Sequence, residues 1–368
     1  MSIRVLVVDD SVVIRKLVGD LLSEDPDIEV VGTAINGRVA LTKAEQLRPD
    51  VITMDIEMPE LNGIEAVRAL RGSGNTTPII MFSTLTERGA TATFDALAAG
   101  ATDYVAKPAN VGSVTQSFDQ VRSALIPRIK GLAPSGTRTS APTSSRAAGA
   151  ATPASRPAPV VTTRPAPTSP APVRLLVIGC STGGPEALAR FLEGLPRLPV
   201  PVAVVQHMPP VFTAQFAARL NRALPYEVVE AQQGRPMEPG VVHIAPGDYH
   251  LRVVGRGQGL QTALDQAPAE NYCRPAVDVL FRSAATATGA GTLGVVLTGM
   301  GQDGCLGTGD IVRAGGSVIV QDRQTSVVWG MPGAIAEAGL AEAVLPLAEL
   351  APAVRQRVPA AVGVGSRP

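Results

Sequence analysis

Residues 131–172 of this chain, GLAPSGTRTSAPTSSRAAGAATPASRPAPVVTTRPAPTSPAP, contain no acidic and no aromatic residue and are dominated by Pro, Ala, Ser and Thr. Such a run cannot bury enough apolar surface to offset the entropy of ordering it, so it predicts a flexible, partly extended linker. It divides the 368 residues into two parts, each long enough for a core of its own. The expected organisation is a first domain over 1–126, a linker over 127–172, a second domain over 173–355 and a tail over 356–368.

Before the linker, strand-like runs at Arg4–Val8, Glu29–Ala34, Val51–Met54, Pro78–Phe82 and Asp103–Val105 alternate with helical patterns such as Val12–Leu22, Gly37–Leu47, Gly63–Leu70 and Ala90–Ala99. That alternation predicts an α/β fold, a five-stranded, doubly wound parallel sheet. After the linker it resumes. Leu175–Ile178 leads into a helix from Pro185, where proline suits a first turn. Val202–Gln206, a helix near Ala214–Leu224, a Gly-rich middle over Val241–Leu260 and Thr292–Leu297 follow. A second, larger α/β domain with a mostly parallel sheet is expected.

Charge excludes several functions. Lys plus Arg equals Asp plus Glu, 32 each, so no net field draws nucleic acid or an anionic membrane, and aromatic residues at 3% weaken base stacking further. No apolar run approaches a membrane span, and MSIRVLVVDD reaches acids without a signal-peptide core. Cys180, Cys273 and Cys305 are scattered, with no metal spacing. The expectation is a reduced, cytoplasmic, monomeric protein with no nucleic-acid partner and no membrane insertion.

In open parallel sheets, ligands gather at the carboxyl ends of strands. Asp9 and Asp10 end the first strand, Asp55 the third, and Lys107 follows the fifth. Three carboxylates on one edge repel unless a hard cation joins them, and oxygen ligands suit Mg²⁺. A lysine there suits an incoming phosphoryl group. VLVVDDS, ITMDIEMPELNG and AKP resemble the signature of response-regulator receiver domains over nearly all of residues 1–125. The resemblance implies phosphorylation of Asp55 by a chemotaxis-type histidine kinase. It also implies Mg²⁺ held by Asp10, Asp55 and the carbonyl of Glu57, with Asp9 supporting. Ser83, Tyr104 and Lys107 stand at the family's switch positions.

The second domain begins with RLLVIGCSTGGPEAL. A strand turning into a helix over glycines can cradle phosphate or present a serine. A P-loop needs a lysine, and none lies beyond Lys130; position 181 is serine where a dinucleotide motif needs glycine. Gly179-Cys180-Ser181-Thr182-Gly183 matches G-x-S-x-G, with a serine on a strained turn.

A serine hydroxyl needs a base, and the chain has three histidines. His207 ends VAVVQHMPP on the same edge as Ser181; His243 reads as an in-strand, satisfied histidine, and His250 is open to either role. Asp303 in GVVLTGMGQDG is the candidate carboxylate. The order Ser181, His207, Asp303 departs from the alpha/beta-hydrolase order of Ser, Asp, His.

That order, with IGCSTGGPEAL, QHMPP, HIAPGDYHL, RPAVDVLFRSAA and LTGMGQDG, resembles the catalytic domain of the chemotaxis protein-glutamate methylesterases over about residues 173–350. The resemblance implies hydrolysis of γ-glutamyl methyl esters on methylated chemoreceptors, with release of methanol and deamidation of certain receptor glutamines. It implies Ser181 as nucleophile, His207 as base, Asp303 as its orienter, the Met300 N–H in the oxyanion hole and Thr182 as polar support. No cofactor is expected for this half. Cys180 and Cys305 replace small residues beside the serine and aspartate; Cys180 as a rival nucleophile is the weaker idea, because the residue before the serine usually points elsewhere. A receiver tied to a hydrolase suggests that phosphorylation controls access to Ser181. The alternative is a signalling adaptor whose hydrolase-like domain binds partners or a nucleotide without catalysis.

Overall fold

The structure, a computed structural model, describes residues 2–107, 114–133, 163–165, 171–257 and 259–359. Most of the expected linker and of the expected tail lies outside these residues.

In the first half, β1 (Ile3–Val8), α1 (Val12–Ser23), β2 (Ile28–Ala34), α2 (Gly37–Leu47), β3 (Val51–Asp55), α3 (Gly63–Gly72), β4 (Ile79–Ser83), α4 (Glu87–Ala98), β5 (Asp103–Ala106) and α5 (Val114–Leu132) alternate. The strands pair in parallel in the order β2-β1-β3-β4-β5. Runs such as IRVLVV and IIMFS are apolar on both faces because helices cover both sides of the sheet. The expected boundary at 126 falls inside α5. Val121, Leu125, Ile129 and Leu132 continue one buried face of that helix past Pro127, so packing carries it into the Gly131 run.

The second half contains β6 (Leu175–Cys180), α6 (Gly184–Glu193), β7 (Val202–Gln206), α7 (Phe212–Ala223), β8 (Val228–Glu230), β9 (Val242–Ile244), β10 (His250–Arg256), β11 (Gly259–Asp265) and α8 (Val277–Thr288). After them come β12 (Thr292–Val296), α9 (Cys305–Arg313), β13 (Ser317–Gln321), α10 (Met331–Glu337), β14 (Ala343–Leu345) and α11 (Leu347–Arg357). Seven strands form one parallel sheet in the order β14-β13-β12-β6-β7-β9-β8. The Gly-rich middle supplies an antiparallel hairpin, β10 with β11, outside it.

The halves share a core. Phe94 of α4 packs edge-on to Phe212 (centroids 6.1 Å) and stacks on Phe216 (5.3 Å), while Tyr104 of β5 stacks on Phe212 at 4.9 Å. Arg219 of α7 pairs with Asp95 of α4 at 2.9 Å. The α4, β5 and α5 face of the first domain therefore rests on α7 and on the carboxyl-end loops of the second sheet.

Candidate active site

β6 lies between β12 and β7, where the chain stops adding strands on one side of β6 and starts on the other. Such a reversal opens a crevice at the carboxyl ends of the strands. Val296 pairs with Gly179 and Cys180 with Gln206, so Ser181 and His207 follow paired positions on adjacent strands. The loop after β12 closes the other side: a β-carbon at Gly299 would stand 2.9 Å from Ser181 Cβ. The turn beyond the serine is equally tight. Gly183 sits at φ +72°, and a β-carbon at Gly184 would meet Gln206 Oε1 at 2.0 Å.

His207 Nε2 donates to Asp303 Oδ2 at 2.8 Å, which leaves Nδ1 as the nitrogen free to serve the serine. Nδ1 faces Cys273 Sγ at 3.5 Å. Among the described residues, Ser181 Oγ has no hydrogen-bond partner; the backbone register, not a bond, brings it beside His207. Burial works against the imidazolium, but the Asp303 carboxylate and the Cys273 thiol outweigh it and raise the His207 pKa to about 10.

Asp303 is 2% exposed and lies at the N-terminus of α8. Its Oδ2 also accepts from Val277 N–H (2.7 Å); its Oδ1 accepts from Asp278 N–H, Gly304 N–H and Asn271 Nδ2, each at 3.0 Å. Burial pushes its carboxyl up, yet His207 and the helix N–H groups together hold it below the ordinary carboxylate range.

Met300 and Thr182 stand beside this set, and the first domain touches both. A β-carbon at Gly131 would approach Met300 Sδ to 3.3 Å. Thr182, 3% exposed, shares a side-chain hydrogen bond with Asp103, and its carbonyl accepts from Thr298 Oγ1 at 2.9 Å. Cys180 is sealed from solvent with Sγ 3.8 Å from Val205 O, and burial raises its thiol well above the usual range, so it packs rather than reacts. Cys305 faces Ala334 O at 3.7 Å.

Of the other histidines, His243 lies in β9 as expected but is not satisfied. Neither ring nitrogen has a partner among the described residues, and burial and Arg235 lower its pKa to about 4, so it stays neutral. His250 is fully buried, with Nδ1 accepting from Ala276 N–H at 3.2 Å. Asn271, Asp278 and Cys273 are the functional neighbours that sequence reasoning missed. The motif RPAVDVLFRSAA, which contains Asp278 and follows Asn271 and Cys273, was the available signal.

The first domain has a second site at its own strand reversal, between β1 and β3. Asp9, Asp10 and Asp55 bring carboxylate oxygens within 4.8 Å of one another. Lys107 Nζ lies 2.8 Å from Asp55 Oδ1 and 3.0 Å from Asp9 Oδ2. Burial, first of all, raises the Asp55 pKa to about 6 against the pull of Lys107. A cavity of about 240 Å³ opens there, lined by Asp10, Asp55, Glu57, Ser83 and Lys107 among others. The set fits a hard divalent cation: all its donors are oxygens, and the two buried carboxylates, Asp9 and Asp55, share the single Lys107 ammonium. Ser83 Oγ donates to Gly89 O at 3.0 Å, away from Asp55, and Tyr104 is held against Phe212.

The family described as CheB methylesterase matches residues 176–354, and the family described as response regulator receiver domain matches residues 5–119. A protein-glutamate methylesterase/protein-glutamine glutaminase from a Nocardioides species is 66% identical over 360 residues, covering 97% of this chain and 96% of that one. A protein of the same description from Trichodesmium erythraeum is 44% identical over 96% of this chain and 99% of its own. The crystal structure of the Thermotoga maritima CheB methylesterase catalytic domain aligns with TM-score 0.50 and 41% identity, over 51% of this chain and all of that one.

Proposed function

The chain belongs to the CheB family of protein-glutamate methylesterases and protein-glutamine glutaminases, and from that premise we propose how its residues carry out and regulate the reaction. It hydrolyses glutamate γ-methyl esters on chemoreceptors, releasing methanol, and deamidates receptor glutamines at the same centre. The observation that carries the reading is the 2.8 Å bond from His207 to Asp303 at the strand ends flanking Ser181.

Ser181 Oγ attacks the ester carbonyl while His207 Nδ1 takes its proton. The Met300 N–H receives the developing oxyanion, a contact whose loss costs about 10²–10³ in kcat. Protonated His207 then hands its proton to the departing methoxide, and in a second half-reaction it activates water against the acyl-enzyme. Asp303 fixes the ring and balances its positive charge. In deamidation the leaving group is ammonia, and the same steps apply.

The receiver holds this centre shut. Asp103 occupies Thr182, next to the nucleophile, and the end of α5 covers Met300. A histidine kinase phosphorylates Asp55. Asp10, Asp55 and the Glu57 carbonyl, with Asp9 behind them, would hold Mg²⁺, which would supply charge neutralisation for the phosphoryl group. Ser83 and Lys107 then turn to the phosphoryl oxygens, Ser83 leaves Gly89, and α4 and Tyr104 loosen from Phe212.

The test is methanol release from methylated receptor membranes by the full chain, with and without a phosphodonor. Ser181→Ala is expected to fall to background while still being phosphorylated. A Ser181→Ala protein that retains turnover overturns the reading.

A further inference from the structure

Residues Glu270–Arg274 cross the mouth of the site in an unfavourable backbone shape. Asn271 and Tyr272 both lie at positive φ, +52° and +62°, a region that asparagine tolerates better than most residues. The segment is pinned on both sides. Glu270 receives two bonds from Arg282, at 3.1 and 3.0 Å, and Arg274 grips Asp248 at 2.6 and 3.0 Å. Tyr272 then points fully into solvent, while Asn271 points inward.

The Asn271 amide ends between two buried carboxylates. Nδ2 donates to Asp278 Oδ2 at 2.9 Å and to Asp303 Oδ1 at 3.0 Å. Asp278 and Asp303 are 1% and 2% exposed, and the Asp278 carboxylate also accepts from Gly307 N–H at 2.7 Å and from Gly304 N–H. Burial and the neighbouring Asp303 charge both raise the Asp278 carboxyl. Two adjacent carboxylates need a donor with two N–H bonds and no charge of its own to compete for His207. A carboxamide provides that.

We propose that Asn271 is a positioning residue of the esterase: its amide bridges the Asp278 and Asp303 carboxylates and so fixes Asp303 against His207 Nε2. The assignment rests on the triad reading above. It gives the left-handed backbone at this point a role, since that turn carries the amide to both acids. The other ionisable groups around the pair are His207, Glu270 and Cys273, Arg282 of α8, and Cys305 and Asp310 of α9. His250 stands behind Glu270.

Asn271→Gly removes the amide and keeps positive φ accessible. In the phosphorylated full chain, kcat for methanol release falls about ten- to a hundred-fold, the worth of a hydrogen bond to a charged group, while KM stays within about twofold. Without its donor, Asp303 takes up a proton more readily, so the acid limb of the kcat profile moves to higher pH. Asp278→Asn in the Asn271→Gly background removes one of the two charges and recovers part of the rate.

Ring ¹⁵N shifts of His207 read the same bond without turnover: their acid-side step, which reports protonation of Asp303, moves up by about one pH unit. An Asn271→Gly chain with wild-type kcat, or a slower one whose acid limb and His207 step stay in place, overturns the proposal. A wild-type chain that releases no methanol fails the esterase reading instead, and the His207 step still decides the role of Asn271.

Discussion

Asp55 and Asp303 occupy like positions, beside the strand reversals of two parallel sheets, and both are almost sealed from water at 4% and 2% exposure. Burial pushes both carboxyls up, yet one ends at about 6 and the other below its ordinary range. The difference lies in the donors. Asp303 is met by His207, Asn271 and three backbone N–H groups. Asp55 has Lys107 and one backbone N–H, from Ile56, and shares its lysine with Asp9. A carboxylate that must stay charged through every cycle is saturated with donors. One that, on the proposed reading, takes a phosphoryl group with a cation beside it is left short of them. Environment, not residue type, assigns the two roles.

The contrast can be broken most sharply by the same substitution at both places. Asp303→Asn is expected to lower kcat by about 10⁴, because the amide no longer selects the working tautomer of His207. Asp55→Asn keeps the basal rate and loses only the response to a phosphodonor; methanol release measures both. Equal losses at the two positions would remove the distinction.

pH sharpens it next. Because the Asp55 pKa is raised, its nucleophilic carboxylate is present above about 6 and is lost as pH falls through that value. At low Mg²⁺, labelling by a small phosphodonor falls about tenfold per unit below that midpoint, and added Mg²⁺ moves the midpoint down. A midpoint near the ordinary carboxylate value would count against the donor-poor description. The smallest effect belongs to the domain contact. Arg219→Ala removes a half-exposed pair with Asp95 and raises the unphosphorylated rate by less than about fivefold, leaving the phosphorylated rate unchanged.

How much of this the sequence disclosed follows from how local each feature is. Receiver strands read from apolar runs fall within about a residue of their observed ends, as for Arg4–Val8 against Ile3–Val8. Asp9, Asp55 and Lys107 end strands, so their convergence follows from the fold alone. His207 and Asp303 are recoverable for the same reason. Asn271 is not, because nothing in its neighbourhood shows that a left-handed turn will carry its amide to an aspartate 32 positions away. Cys273 likewise gains meaning only from the imidazole it meets in space. The expected boundary at 126 falls inside α5 because a proline and a linker-like composition hide the buried face that prolongs the helix.

The rings of Tyr104 and Phe212 lie parallel within 2°, so the receiver and the esterase face cannot part without disturbing a residue one strand away from the phosphorylation pocket. Coupling free energies are reciprocal. A receptor that wedges the faces apart to reach Ser181 must then make Asp55 easier to phosphorylate, and hold its phosphoryl group more tightly, by the same factor that phosphorylation improves its own binding. The target would thus help to arm the protein sent to edit it.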